Sequence, residues 1–274
     1  MLFYRCTTDK VSQNMTQSLH PAAQKGFGSA AQLYQLVRPS YPQNIVLWLQ
    51  DHLQVHAQSK LLDLGAGTGK FLPYLQQITD QVTAVEPISE MLAELQQQFP
   101  TVHTIQAYSH EIPVEDASFH AVFCAQSFHW FSNTETLQEI YRILKPNAYL
   151  VLVWNQRDIS VDWVNALAEY IAPFEGDTPR YHSQQWKLAF ENQELFQLFE
   201  ETTFEQKHRG TVEDVVSKRL LSTSFIAAMS QNEQQQHKIQ FERIVQQYTG
   251  LSAQDVIDFP YVTHVYAFQK NPSE

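Results

Sequence analysis

The chain has 274 residues, 43% of them apolar, and its 18 Lys and Arg against 29 Asp and Glu leave a formal charge of −11. That is enough apolar material for one large packed domain, and the acidic balance argues against a nucleic-acid backbone as partner, which would need clustered Lys and Arg. Two cysteines are too few for a disulfide framework and fit a reducing cytosol, and no segment is long or apolar enough to cross a membrane.

Residues 1–25 are polar and unpatterned and read as a loose arm, with no signal-peptide core after the apolar Met1–Tyr4 and a second candidate start at Met15. Ala30 to Val37 has helical periodicity and stops at Arg38-Pro39. A second helix is expected over Pro42–Leu53, with Ile45, Val46, Trp48 and Leu49 on one side. His52 and His56 stand four apart, but no third ligand accompanies them, so they read as surface histidines and no metal is expected.

Leu61–Leu64 is a short apolar run that reads as a buried strand, and it feeds Gly65-Ala66-Gly67-Thr68-Gly69-Lys70. Phe71–Leu75 then has helical spacing, so the unit is strand, glycine loop, helix. Glycines let a ligand lie against bare backbone, and the following helix start adds amide donors. Val82–Val85 reads as the next strand and closes on Glu86-Pro87. A carboxylate there can accept from two vicinal ribose hydroxyls, so loop and acidic strand end together indicate a nucleoside ligand. The spacing Gly65-x-Gly67-x-Gly69 departs from the dinucleotide fingerprint G-x-G-x-x-G.

Helices follow at Ile88–Gln98 and Thr134–Leu144, and strands at Val102–Gln106, Phe119–Cys124 and Tyr149–Trp154. This alternation predicts a parallel, doubly wound sheet with its ligand beyond the strand ends Gly65, Glu86, Tyr108, Gln126 and Asn155. Further helices are expected at Trp163–Phe174, Ser183–Phe199, Val212–Leu221 and Glu233–Tyr248, with strands at Thr203–His208 and Phe259–Gln269.

The glycine segment resembles motif I of the class I S-adenosylmethionine-dependent methyltransferases, and Val85-Glu86-Pro87 resembles their acidic second motif. Ala107–Pro113 is similar to the segment that cradles adenine. Ala125–Phe131 and Arg142–Pro146 look like the fourth strand's end and the turn into the fifth. Tyr34 and Arg38–Pro42 look like the cap of a small-molecule subgroup similar to trans-aconitate and ubiquinone/menaquinone methyltransferases. The likeness is close over residues 26–158 and looser beyond.

It implies an α/β, Rossmann-like seven-stranded sheet with the last strand antiparallel, an N-terminal helical cap and an inserted helical lid. The single domain would run over 26–274, with a cofactor-binding core at 42–158 plus the strands near 203–208 and 259–269, and a lid at 160–199 and 211–249. The resemblance assigns S-adenosylmethionine, leaving as S-adenosylhomocysteine, to Tyr34, Arg38, Asp63, Gly65, Ala66, Gly67, Glu86, Pro87, Met91, Tyr108, Ser109 and Gln126. Phe128, Trp130, Trp154 and Arg157 would wall the acceptor pocket, and His129 is a candidate base or else a hydrogen-bonded structural histidine. Arg157 could meet an acceptor carboxylate or serve a structural salt bridge.

A cytoplasmic monomer or homodimer methylating a small molecule is the expectation. A nicotinamide-dependent oxidoreductase and a non-catalytic nucleoside-binding subunit are the alternatives. Two departures from the family stand out. Lys145-Pro146-Asn147-Ala148 lacks a glycine pair, so Asn147 should take the left-handed turn position. Tyr108 stands where relatives often place an acid against the adenine amino group.

Overall fold

The computed structural model describes residues 37–272. The expected arm at 1–25, the expected helix from residue 30 and Tyr34 lie outside the described residues. In chain order the elements are α1 (Ile45–Leu53), β1 (Leu61–Leu64), α2 (Leu72–Leu75), β2 (Val82–Val85), α3 (Ser89–Gln98), β3 (His103–Ile105) and β4 (Phe119–Ala125). They continue with α4 (Thr134–Ile143), β5 (Leu144–Arg157), α5 (Asp162–Ile171), β6 (Phe196–Thr211), a π-helical segment (Val212–Lys218) running into α6 (Arg219–Leu221), then α7 (Ser224–Ala227), α8 (Gln231–Thr249) and β7 (Val256–Lys270).

One sheet has the order β3-β2-β1-β4-β5-β7-β6. Neighbours from β3 through β5 are parallel, and β7 runs antiparallel to both β5 and β6. The strand order reverses between β1 and β4, where a doubly wound sheet leaves its ligand crevice. Alternate residues feed two opposite layers, because successive strand side chains point to opposite faces. Leu61, Phe123 and Val151 pack with α1 and α2, whereas Leu62, Val122 and Leu152 pack with α4. A third apolar cluster joins α5, the π-helical segment and α8 to Ile257, Phe259 and Tyr261 of β7.

The structure corrects the helix expected at Ser183–Phe199. Gln185–Phe190 forms only a 3₁₀ segment, and Phe196 already opens β6. Gln193 turns the chain: its Oε1 accepts from the Leu195 and Phe196 amides at 2.7 and 2.9 Å, its Nε2 donates to the Phe196 carbonyl at 2.8 Å, and Asn192 beside it has φ 54°. The strands expected at Tyr149–Trp154, Thr203–His208 and Phe259–Gln269 are longer than read, at 14, 16 and 15 residues. Asn147 has φ 60°, the left-handed turn foreseen between α4 and the body of β5.

Candidate functional site

The site starts at the carboxyl end of β1. The amides of Gly65 and Ala66 donate to the Val85 carbonyl at 2.8 and 3.0 Å, which sets the glycine loop across the end of β2. Gly65 has φ +69°, and a Cβ there would stand 2.7 Å from Cβ of Ser127. Ser127 itself is tied down, its Oγ donating to the Leu64 carbonyl at 2.7 Å. Glycine is therefore required by conformation and by space. Glu86 at the end of β2 accepts from the Gly67 amide on Oε2 at 2.9 Å and from the Ile88 amide on Oε1 at 3.0 Å.

Above this loop lies a cleft of about 910 Å³, its open mouth included. Of the sequence-assigned cofactor residues, Arg38, Asp63, Gly65, Ala66, Gly67, Glu86, Pro87, Met91 and Gln126 line it, and Trp130 joins them from the acceptor set. Tyr108 and Ser109 line neither this cleft nor its neighbour. Tyr108 points to solvent, 47% exposed and stacked on His110, and the buried Ser109 hydroxyl bonds that of Thr136 at 2.8 Å.

A second chamber, of about 580 Å³ with its mouth, shares Arg38, Gln126, Trp130, Asn155 and Arg219 with the first. His129, Trp154 and Arg157 line it, whereas Phe128 is fully buried against Phe131 and Phe190 and lines neither space. Asn155 fixes the shared wall. Its Nδ2 donates to the Ser40 carbonyl at 3.0 Å, its Oδ1 accepts from Thr263 at 2.6 Å, and its carbonyl accepts from Gln126 at 3.0 Å.

Sequence reasoning gave no site role to Lys70, Arg180 or Arg219, which the structure brings to these walls. Lys70 follows the glycine motif and could have been read with it. Arg180 and Arg219 come from the segments after β5, where no motif marks them, and only the fold brings them together.

The electrostatics of the two spaces differ. Asp63 is 1% exposed, and neither carboxylate oxygen has a hydrogen-bond partner among the described residues. Burial, with the nearby Glu86 charge adding to it, pushes its pKa up to about 8. Burial also raises Glu86, to about 7, against the lowering pull of the Ile88 and Gly67 amides. Burial lowers Lys70 to about 8, assisted by Arg38 and Arg219. In the second chamber His129 accepts from Trp154 Nε1 on Nδ1 at 3.1 Å. Burial and then the charges of Arg180 and Arg38 push it down to about 3. Its imidazole is neutral at physiological pH.

This arrangement has relatives. A family model described as a methyltransferase domain matches residues 62–152. An uncharacterized methyltransferase-like protein of Schizosaccharomyces pombe, C25B8.10, is 34% identical over 242 residues, covering 88% of this chain and 94% of that protein. Among solved structures, a type II methyltransferase candidate from Anaeromyxobacter dehalogenans superposes with a TM-score of 0.62 at 21% identity, over 85% of this chain and 96% of that one. Phosphoethanolamine N-methyltransferase 2 of Haemonchus contortus, solved with S-adenosylhomocysteine, shares the fold at a TM-score of 0.54 and 16% identity, over 93% of this chain and 61% of that one. Together with the seven-stranded sheet and its one antiparallel strand, a relative that spans nearly the whole chain places this protein in the class I S-adenosylmethionine-dependent methyltransferases.

Proposed function

We propose that this S-adenosylmethionine-dependent methyltransferase holds its cofactor in the glycine-loop cleft and methylates a small molecule bound in the adjoining chamber. The observation that carries this reading is that the two spaces share the wall formed by Arg38, Gln126, Trp130, Asn155 and Arg219, one space lying over the glycine loop and the other walled also by residues of β5 and Arg180.

The residues of the first cleft fit the cofactor. Asp63 is a buried carboxylate without a partner among the described residues, and such a group is stable where a cation completes it, which the ammonium of the methionine end would do. Glu86 spends one lone pair of each oxygen on the amides of Gly67 and Ile88 and keeps the others for ribose hydroxyls. Lys70 and Arg38 line the cleft and suit the methionine carboxylate. Proteins that share the fold carry this ligand, as the H. contortus enzyme does with S-adenosylhomocysteine.

When bound, S-adenosylmethionine supplies a sulfonium methyl that is already electrophilic. The chain's own residues then have to orient the acceptor and keep water out. Trp130, which lines both spaces, and Phe131, which lines the first, offer the apolar walls for that. Orientation alone supplies roughly 7–11 kcal/mol of such a barrier. An aromatic face at the junction adds about 0.5–2 kcal/mol for a cation lying over it. His129, neutral and with Nδ1 occupied by Trp154, reads as wall rather than base.

Calorimetric titration of S-adenosylhomocysteine, with NADH as the control, tests the reading. Micromolar binding of the first, none of the second and loss of binding in Glu86→Ala are expected. No binding of S-adenosylhomocysteine by the wild type would overturn the assignment of the cleft.

A further inference from the structure

The outer edge of the sheet is β6, a strand of 16 residues whose one neighbour is β7. In an antiparallel ladder only alternate residues of an edge strand turn their N–H and C=O groups to the neighbour, and the rest point outward. Among the described residues, no backbone group outside β7 bonds to residues 198–210 of β6. Glu201, Thr203, Glu205, Lys207 and Arg209 alternate along this strand on one face, and all are exposed. A long row of main-chain donors and acceptors is thus open to another strand.

Charges on an open edge ordinarily keep other strands away. Here the two signs are sorted along the strand, with Glu200, Glu201 and Glu205 first and Lys207 and Arg209 after them. Asp258 on β7 does not cancel the basic end, because its single carboxylate is shared between two cations. It lies 3.6 Å from Lys207 Nζ and 2.9 Å from Arg209 Nη1. A parallel copy in register would set like against like, whereas an antiparallel copy sets the acidic end against the basic one.

Two-fold symmetry narrows the register. Opposed side chains of an antiparallel ladder lie on the same face, so one residue must sit at the axis opposite its own copy. With Phe204 there, Glu201 opposes Lys207 and Thr203 opposes Glu205, each twice. Moving the axis to Thr203 sets Glu201 against Glu205, and moving it to Glu205 sets that residue against itself. Like charges directly opposed are unfavourable, so both neighbouring registers are disfavoured. The regular ladder ends at the irregularity between Leu198 and Glu200. Leu198 and Phe199, 53% and 46% exposed, would there meet the aliphatic stem of Arg209 from the other copy.

We infer that β6 is a dimer edge, on which two copies of this chain pair antiparallel about Phe204 and join their sheets into one. The crevice between β1 and β4 is separated from this edge by β5 and β7, so both clefts stay open in the pair.

Sedimentation velocity on the full chain over a rising micromolar series tests this. A monomer–dimer equilibrium is expected, with a dissociation constant on the order of micromolar because one strand pair makes a small interface. Added salt should shift it toward monomer. Glu201→Lys and Lys207→Glu each place like charges opposite one another twice, and each alone should weaken the dimer by about tenfold or more. An equimolar mixture of the two variants restores opposite charges at both contacts and should dimerise like wild type. Both positions are exposed, and an unchanged far-ultraviolet circular dichroism spectrum identifies folded variants. A wild type that stays monomeric, single variants that dimerise like wild type, folded variants whose mixture stays monomeric, or a species that grows past two copies overturns the inference.

Discussion

The Gly67 amide donates to Glu86 Oε2 at 2.9 Å, so the acidic end of β2 grips the glycine loop directly. The same carboxylate also holds the Ile88 amide at the entry to α3. Glu86→Ala therefore leaves two donors without their acceptor, at a cost on the order of 1–3 kcal/mol for each that stays buried and unpaired. Glu86→Gln keeps one acceptor and should lose less stability while still weakening S-adenosylhomocysteine. Urea unfolding and calorimetry on both variants separate the two effects.

Two left-handed glycines should respond differently to alanine. Gly176 has φ +56° with nothing within 4 Å of where a Cβ would stand, so Gly176→Ala should cost only the roughly 1–2 kcal/mol of the backbone conformation. At Gly65 the methyl meets Ser127, which Leu64 holds in place, so Gly65→Ala should cost more and abolish cofactor binding. Thermal melting with and without S-adenosylhomocysteine checks both.

Stability should fall as pH rises from about 6.5 to 7.5. Asp63 and Glu86 have folded pKa values raised to about 8 and about 7, so in this range the folded chain binds more protons than the unfolded one. The opposing groups act mainly outside this range: the half-buried His129 and His208, lowered to about 3 and about 4, act below the ordinary histidine value of 6.5, and Lys70, lowered to about 8, acts from there upward. Asp63→Asn should flatten the slope in melting experiments. S-adenosylhomocysteine should flatten it too and release protons on binding, visible as heats that differ between buffers of different ionisation enthalpy.

At saturating cofactor, kcat should show no titration near the ordinary histidine value of 6.5, because His129 stays neutral well below it. His129→Asn, which can still accept from Trp154, should keep kcat within about tenfold. A limb near pH 6.5 that vanishes in the variant would instead make His129 a base.

The first half of the fold is legible in the sequence because it repeats one local grammar. Leu61–Leu64, the three glycines and Val82–Glu86 each carry a signal within a few residues, and the strands of β1 and β2 match their predicted spans closely. Phe196–Thr211 misleads because it lies at the sheet edge with one side half covered, so its polar positions break the apolar run that marks a strand. The Leu195, Phe196, Leu198 and Phe199 cluster also fits helical spacing, and only the Gln193 turn decides against it. The arginine chamber is illegible for another reason. Arg38, Arg157, Arg180 and Arg219 are far apart in sequence, sit in no shared motif, and meet at one wall only because three long strands carry the later segments back over the crevice.

Those strands also set how the molecule comes apart. β5, β6 and β7 pair far past the four-residue β1, and Ile257, Phe259 and Tyr261 at the start of β7 are themselves part of the third apolar cluster. The helices around the third apolar cluster, whose α6 brings Arg219 to the chamber wall, and the sheet thus belong to a single cooperative unit rather than to a hinged flap. Amides of Ile257, Asp258, Phe259 and Tyr261 should exchange with solvent deuterium as slowly as those in the middle of β5, and heat should melt the helices around the third apolar cluster and the glycine-loop cleft in one transition.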